Sequence, residues 1–189
     1  MLTEWLIQFG PITTFFITYK LSGDNFFVAT LVLMIGIVLG TTASIIRDRR
    51  LPWFPIYSAL FTLFFGGATL YFRDPHWLMV RDTFYDGIFG IIILIALSMK
   101  HNLLKTFFLP LFALTEKGWQ VLAWRWAVFF LVAATINEVV RHWVTTEIWV
   151  YFKVVATVTF IVFGVYQLTL THRERLPEES NKLGMRRRA

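Results

Sequence analysis

The sequence predicts an all-α, polytopic helical membrane bundle: five transmembrane helices plus a short N-terminal apolar helix that either inserts or spans. Three observations predict it. Apolar residues make up 57 % of the 189 and mean hydropathy is +0.61, more than a soluble domain of this length hides in one core. These residues fall into runs long enough for a hydrocarbon core of about 30 Å. Charge, a net +6, gathers at the ends of those runs rather than along one stripe. That is the pattern of an orientation signal, and it sets nucleic acid aside as a partner.

Residues 5–21 form an apolar stretch interrupted by Gly10-Pro11 and laced with threonine, short enough to span, dip in and return, or lie at the interface. It lacks a basic leader and a small-residue cleavage site ahead of Ser22-Gly23-Asp24-Asn25, so it is expected to remain in the mature protein. Residues 26–46 carry no charge, and Arg47-Asp48-Arg49-Arg50 closes them. Leu51-Pro52-Trp53-Phe54-Pro55 reads as a proline-bounded aromatic turn before the span 56–72, which Arg73-Asp74-Pro75-His76 ends. A short span, 83–98, is entered through Asp82 and carries Asp86.

Residues 100–117 mix Leu103, Leu104, Phe107, Phe108, Leu111 and Phe112 with Lys100, Lys105 and Lys117. This suits a segment lying along the membrane surface and broken at Pro110. Thr115 is placed to cap a helix that begins near Trp119, and Glu116 complements the positive end of that helix. Residues 119–140 and the run from 146 to 170 are the last two spans. Residues 1–171 thus read as one transmembrane domain and 172–189 as a charged cytoplasmic tail, expected to be mobile.

If the five spans alternate, one side collects twelve basic residues: Arg47, Arg49, Arg50, Lys100, Lys105, Lys117, Arg173, Arg175, Lys182, Arg186, Arg187 and Arg188. The other collects Lys20, Arg73, Arg81 and Arg141. The richer side is expected in the cytoplasm, with the C-terminus.

Charges inside the runs are the candidate functional residues. A charge at a helix centre costs on the order of 2.5–3.5 kcal/mol on insertion scales, less near the ends. Asp86, Asn137, Glu138 and Lys153, with Lys20 of the first segment as a further candidate, form a candidate intramembrane polar cluster near one membrane face. Such a cluster is either a structural lock or a path for protons or ions. Glu138 and Lys153 lie at similar depth on successive helices and are expected to pair; the alternative is Glu138 with Arg141 or His142 one turn on. Arg125 between Trp124 and Trp126 reads as an interfacial anchor.

Gly36 and Gly40, with Ser44, make a small-residue face in the charge-free span, and Gly66-Gly67 lies within the next. Both invite close helix approach, within the chain or to a second copy as a homo-oligomer. With no cysteine there is no thiolate ligand or thiol nucleophile. The four histidines have no metal-ligand spacing, and neither a phosphate-cradling glycine loop nor a nucleophile elbow is present. No cofactor and no enzymatic activity are expected.

The set Phe9-Gly10-Pro11 with Phe15-Phe16, then residues 65–70 (FGGATL) with Phe72, Trp77 and Arg81, resembles the bacterial intracellular septation protein A family, also called inner membrane-spanning proteins. Leu114-Thr115, Gly118-Trp119, Trp124-Arg125-Trp126, Phe129-Phe130, Asn137-Glu138, Trp149-Val150 and Phe152-Lys153 continue that resemblance in order across nearly the whole chain. Two positions depart from the pattern: Arg81 stands in place of lysine and Asp86 in place of an uncharged residue. The resemblance implies a non-enzymatic bacterial inner-membrane protein with a role in envelope integrity, septation and membrane homeostasis, acting on division or elongation machinery within the lipid bilayer. The competing class is a small transporter or lipid-handling protein that uses the buried charges as a relay.

Overall fold

Among the described residues seven helices follow one another: α1 (Leu2–Leu21), α2 (Phe26–Asp48), α3 (Trp53–Phe72), α4 (His76–Ser98), α5 (Leu103–Phe108), α6 (Glu116–Trp143) and α7 (Thr146–Arg173). A computed structural model describes residues 2–48 and 53–186, with side chains from 10–46 and 56–186. The expectations for Arg49, Arg50, Leu51, Pro52, Arg187 and Arg188 fall outside the described residues. Among the described residues three helices are, by length and composition, apolar enough to cross a membrane, Phe26–Ile46, Glu116–Trp143 and Thr146–Arg173, and Ile56–Phe72 is a shorter apolar helix.

Several boundaries differ from the sequence expectation, each for a local reason. α3 starts at Trp53, inside the expected aromatic turn, because Pro55 falls in its first turn, where a missing N–H costs nothing. α4 starts at His76, seven residues before the expected 83. Asp74 Oδ1 accepts the His76 N–H at 2.9 Å, a start signal that the charged run 73–76 conceals. That backbone hydrogen bond holds the Asp74 carboxyl below its ordinary 3.8. The folded-state pKa is depressed, so this support is present above pH 3.8 and is lost as pH falls through the lowered value.

The chain forms two compact units, Met1–Asp82 with Val140–Val150, and Thr83–Val139 with Tyr151–Ala189. In the first, Gly23 (φ 67°) and Asp24 (φ 62°) end α1 in left-handed conformation, and Asn25 Oδ1 caps α2 by accepting the N–H groups of Phe27 and Val28 at 3.1 and 3.2 Å. Phe15, Tyr19 and Phe26 are buried, and Phe26 meets Trp149 edge-on, ring centroids 6.2 Å apart. A Cβ at Gly36 would lie 3.4 Å from Pro11 Cα, so Gly36 packs against the proline of α1. At Gly66 a Cβ would lie 2.8 Å from Met34 Sδ, whereas at Gly67 it would meet nothing within 4 Å.

In the second unit Ile93, Leu104, Leu114, Trp119, Leu122, Ala123, Ala127 and Leu170 form a buried cluster. Thr115 caps α6 as expected, its Oγ1 accepting the Gly118 N–H at 3.0 Å. Glu116 pairs with Lys105. The segment after α7 departs from the expected mobile tail. Leu176 N–H donates to Ala113 O, Ala113 N–H to Gly184 O and Arg186 N–H to Leu111 O, at 2.8–3.0 Å, so the irregular stretches 109–115 and 174–186 satisfy each other's backbone. Gly184 (φ 79°) fits where a Cβ would lie 2.7 Å from Thr171 O. A charged composition hid this docking, because backbone pairing needs no apolar side chain.

Gly36→Leu should lower the unfolding midpoint in detergent by several degrees, since overpacking against a rigid proline costs about 1–3 kcal/mol. Gly67→Leu, on an open face of the described residues, should leave it within a degree or two. Equal midpoints for the two variants would remove the α1–α2 approach from the account.

Candidate functional site

Thr83, Gly87 and Gly90 recur at helical spacing and so share one face of α4. Opposite them on α6 stand Asn137 with Glu138, then Ala134, then Leu131 with Ala127. The pairing is antiparallel: a Cβ on Gly87 would lie 3.7 Å from Ala134 Cβ, and one on Gly90 would lie 2.7 Å from Leu131 Cγ and 3.1 Å from Ala127 O. Gly90 therefore permits a backbone approach that any side chain would block. Continuing the seam, Phe89 meets Phe130 at 5.9 Å between ring centroids.

At the polar end of this seam the Thr83 hydroxyl does two jobs. Its Oγ1 accepts from Asn137 Nδ2 at 2.9 Å and donates to Glu138 Oε2 at 2.9 Å. One hydroxyl thereby satisfies a buried amide, 2 % exposed, and a half-buried carboxylate. Counting 1.5 Å per residue, Glu138 lies roughly 7 Å from the end of α6, and Thr83 and Lys153 each roughly 10 Å from the start of their helices. Asp86, one turn past Thr83 and half-buried, belongs to the same unit, as does half-buried Lys153. Lys20 belongs to the other unit, where it is exposed and pairs with Asp24 at 2.8 Å.

The first unit holds a polar group that sequence reasoning passed over. Arg81 Nη2 lies 2.6 Å from Asp82 Oδ1 and Arg81 Nη1 donates to Thr62 Oγ1 at 2.9 Å. Asp82 and Thr62 are buried, at 6 % and 0 % exposure. A neutralised, hydrogen-bonded pair is how α4 carries two adjacent charges inward from its start.

The aromatic triplet on α6 divides. Trp124 is 57 % exposed. Trp126 instead packs among Phe129, Phe130, Phe160 and Phe163, with Phe129 stacked on Phe163 at 4.1 Å. Arg125 lies over the Tyr166 ring, 5.4 Å from its centroid. Gly40 lies one turn beyond Gly36 on α2.

Thr83 was the residue most completely missed, since a threonine at the head of an apolar run reads as filler. Its spacing to Gly87 and Gly90 was the available signal. Among the described residues no group of three His, Asp or Glu side chains could hold a metal ion. The chemistry on hand is hydrogen bonding and charge.

These helices and their buried polar seam define the class: a helical integral membrane protein. The sequence pattern of the family described as intracellular septation protein A matches residues 3–177, and the chain belongs to that family. It is similar to proteins named inner membrane-spanning protein YciB: 36 % identical to that of Agrobacterium fabrum, over 90 % of this chain and 81 % of the relative. It is 33 % identical to that of Mesorhizobium japonicum (94 % and 77 %) and 31 % to that of Rhizobium meliloti (95 % and 92 %). No solved structure matches.

Thr83→Val should destabilise by about 1–3 kcal/mol, because it keeps the shape but removes the hydrogen bonds to a buried amide and a carboxylate. Thr83→Ser should restore most of the loss. Thermal unfolding in detergent decides, and a valine variant as stable as the serine one would exclude the hydroxyl as the link.

Proposed function

We propose that this protein is a non-enzymatic inner-membrane component that supports septation, envelope integrity and membrane homeostasis by contacting division or elongation proteins. The observation that carries this reading is the family match over residues 3–177, whose description names septation. The polar seam fits such a role as a lock: it fixes the helices that a partner would read. We further propose that α3 and α4 cross the membrane along with α2, α6 and α7, the Arg81–Asp82 pair lowering the cost for α4. The basic residues between α4 and α6 and after α7 then lie with the C-terminus in the cytoplasm.

A deletion strain complemented by the chain carrying a C-terminal fluorescent protein tests function and orientation together. Cell length and division timing should return to normal, fluorescence should develop in the cytoplasm, and division or elongation proteins should co-purify in mild detergent. Full complementation of cell length failing while the fusion inserts normally would overturn the septation reading.

The competing relay reading uses Glu138 and Lys153 as a charge path, and a double-variant cycle separates it from a lock. If the two side chains pair, Glu138→Gln and Lys153→Met should each destabilise, by about 1–3 kcal/mol, and the double variant should lose far less than the sum. Additive losses would exclude the pair. Ion or proton flux into proteoliposomes that both single variants abolish would favour the relay.

A further inference from the structure

Between Lys117 and Glu138 the single charged residue of α6 is Arg125, and its surroundings do not balance its charge. The guanidinium rests on the Tyr166 ring, and Nη1 reaches Gln167 Oε1 only at 3.5 Å, a long contact. Among the described residues no carboxylate lies within 4.0 Å of it. A guanidinium carries five N–H donors, so most of its fork remains open. Gln167, 4 % exposed, is fixed by donating its own Nε2 to Phe163 O at 3.2 Å, which orients its oxygen toward Arg125. Tyr166, 53 % exposed, lies under the guanidinium, and Trp124, the preceding residue in the chain, is 57 % exposed; such amphipathic rings suit a membrane interface.

Depth supports the same chemistry. α6 has 28 residues, roughly 42 Å of helix against a core of about 30 Å, so roughly 6 Å projects at each end of a centred helix. Arg125, nine positions from the start of α6, then has its backbone roughly 7–8 Å inside the hydrocarbon edge, a depth from which its long stem, leaning toward the start of the helix, carries the guanidinium up to the level of the phosphates. Tyr166 is seven positions from the end of α7, at that same membrane face.

We propose that Arg125, oriented by Gln167 and Tyr166, binds the phosphodiester of an acidic phospholipid. A planar fork takes two phosphate oxygens at once, and a headgroup of net charge −1 neutralises the arginine where a zwitterionic one does not. The site stands apart from the septation reading and from the Thr83 seam.

Native mass spectrometry of the purified full chain tests it, with phosphatidylglycerol and phosphatidylcholine of matched acyl chains, and inorganic phosphate as a third arm. The intact chain should retain phosphatidylglycerol about tenfold more tightly than phosphatidylcholine, a difference that one charge-assisted bidentate contact supplies. Arg125→Gln should abolish the preference, and Arg125→Lys, which keeps the charge but not the fork, should reduce it to a few-fold. If the glutamine variant does not fold, the lysine variant decides alone: a reduced preference supports the site and an unchanged one overturns it. Absence of preference in the intact chain, an undiminished preference in Arg125→Gln, or competition by inorganic phosphate at equal concentration would each overturn the proposal.

Discussion

The second unit depends on one hydroxyl. Thr83 holds Asn137 and Glu138 at 2.9 Å each, and it does so at the end of a face on which Gly87 and Gly90 let α4 lie directly against Ala134, Leu131 and Ala127. In lipid the hydrophobic effect does not drive helices together, because acyl chains are as apolar as leucine. Close backbone packing and interhelical hydrogen bonds take its place. The two devices act together. The glycines let the two backbones approach, and the hydroxyl at the end of that face gives a buried amide and a carboxylate a hydrogen-bond partner across the seam.

The other end of the same helices is finished by backbone pairing. Residues 109–115 are irregular and so are 174–186, and each would be costly beside a membrane if its N–H and C=O groups lacked partners. They pair with each other, while Thr115 also donates to Glu174 Oε2 at 2.7 Å and Trp119 is 1 % exposed beneath them. Gly118 leaves room for Glu174, whose Cβ would lie 2.7 Å from a Cβ placed there. A polar end-piece and a small-residue seam thus constrain α4 and α6 from opposite ends of their buried faces.

Much of this was legible in the sequence, for reasons that differ by element. Residues 26–46 could be read because absence of charge over a membrane's thickness has few other meanings, and Thr115 because a hydroxyl three residues before a glycine-tryptophan start is a local signal. Asn137 and Glu138 stood out because polar groups are rare in such runs. Their partner did not, since a hydroxyl carries no charge and its role exists only once α4 and α6 are side by side. Lys20 was grouped with the cluster by membrane face alone, whereas it pairs with Asp24, one turn away in its own unit. Hydropathy likewise separated Trp126 poorly from Trp124: adjacent residues point about 100° apart on a helix, and only packing shows which of them meets α7.

The α4–α6 seam can be measured directly, because the natural chain contains no cysteine to interfere. A Cβ at Gly87 lies 3.7 Å from Ala134 Cβ, within the range of about 3.5–4.5 Å that a disulfide requires. The chain carrying Gly87→Cys and Ala134→Cys, with a protease site inserted between α4 and α6, should remain joined after oxidation and cleavage and separate on reduction. Two fragments that separate without reductant, from a protein whose cysteines both still react with a membrane-permeant maleimide, would contradict the seam and the Thr83 link it positions.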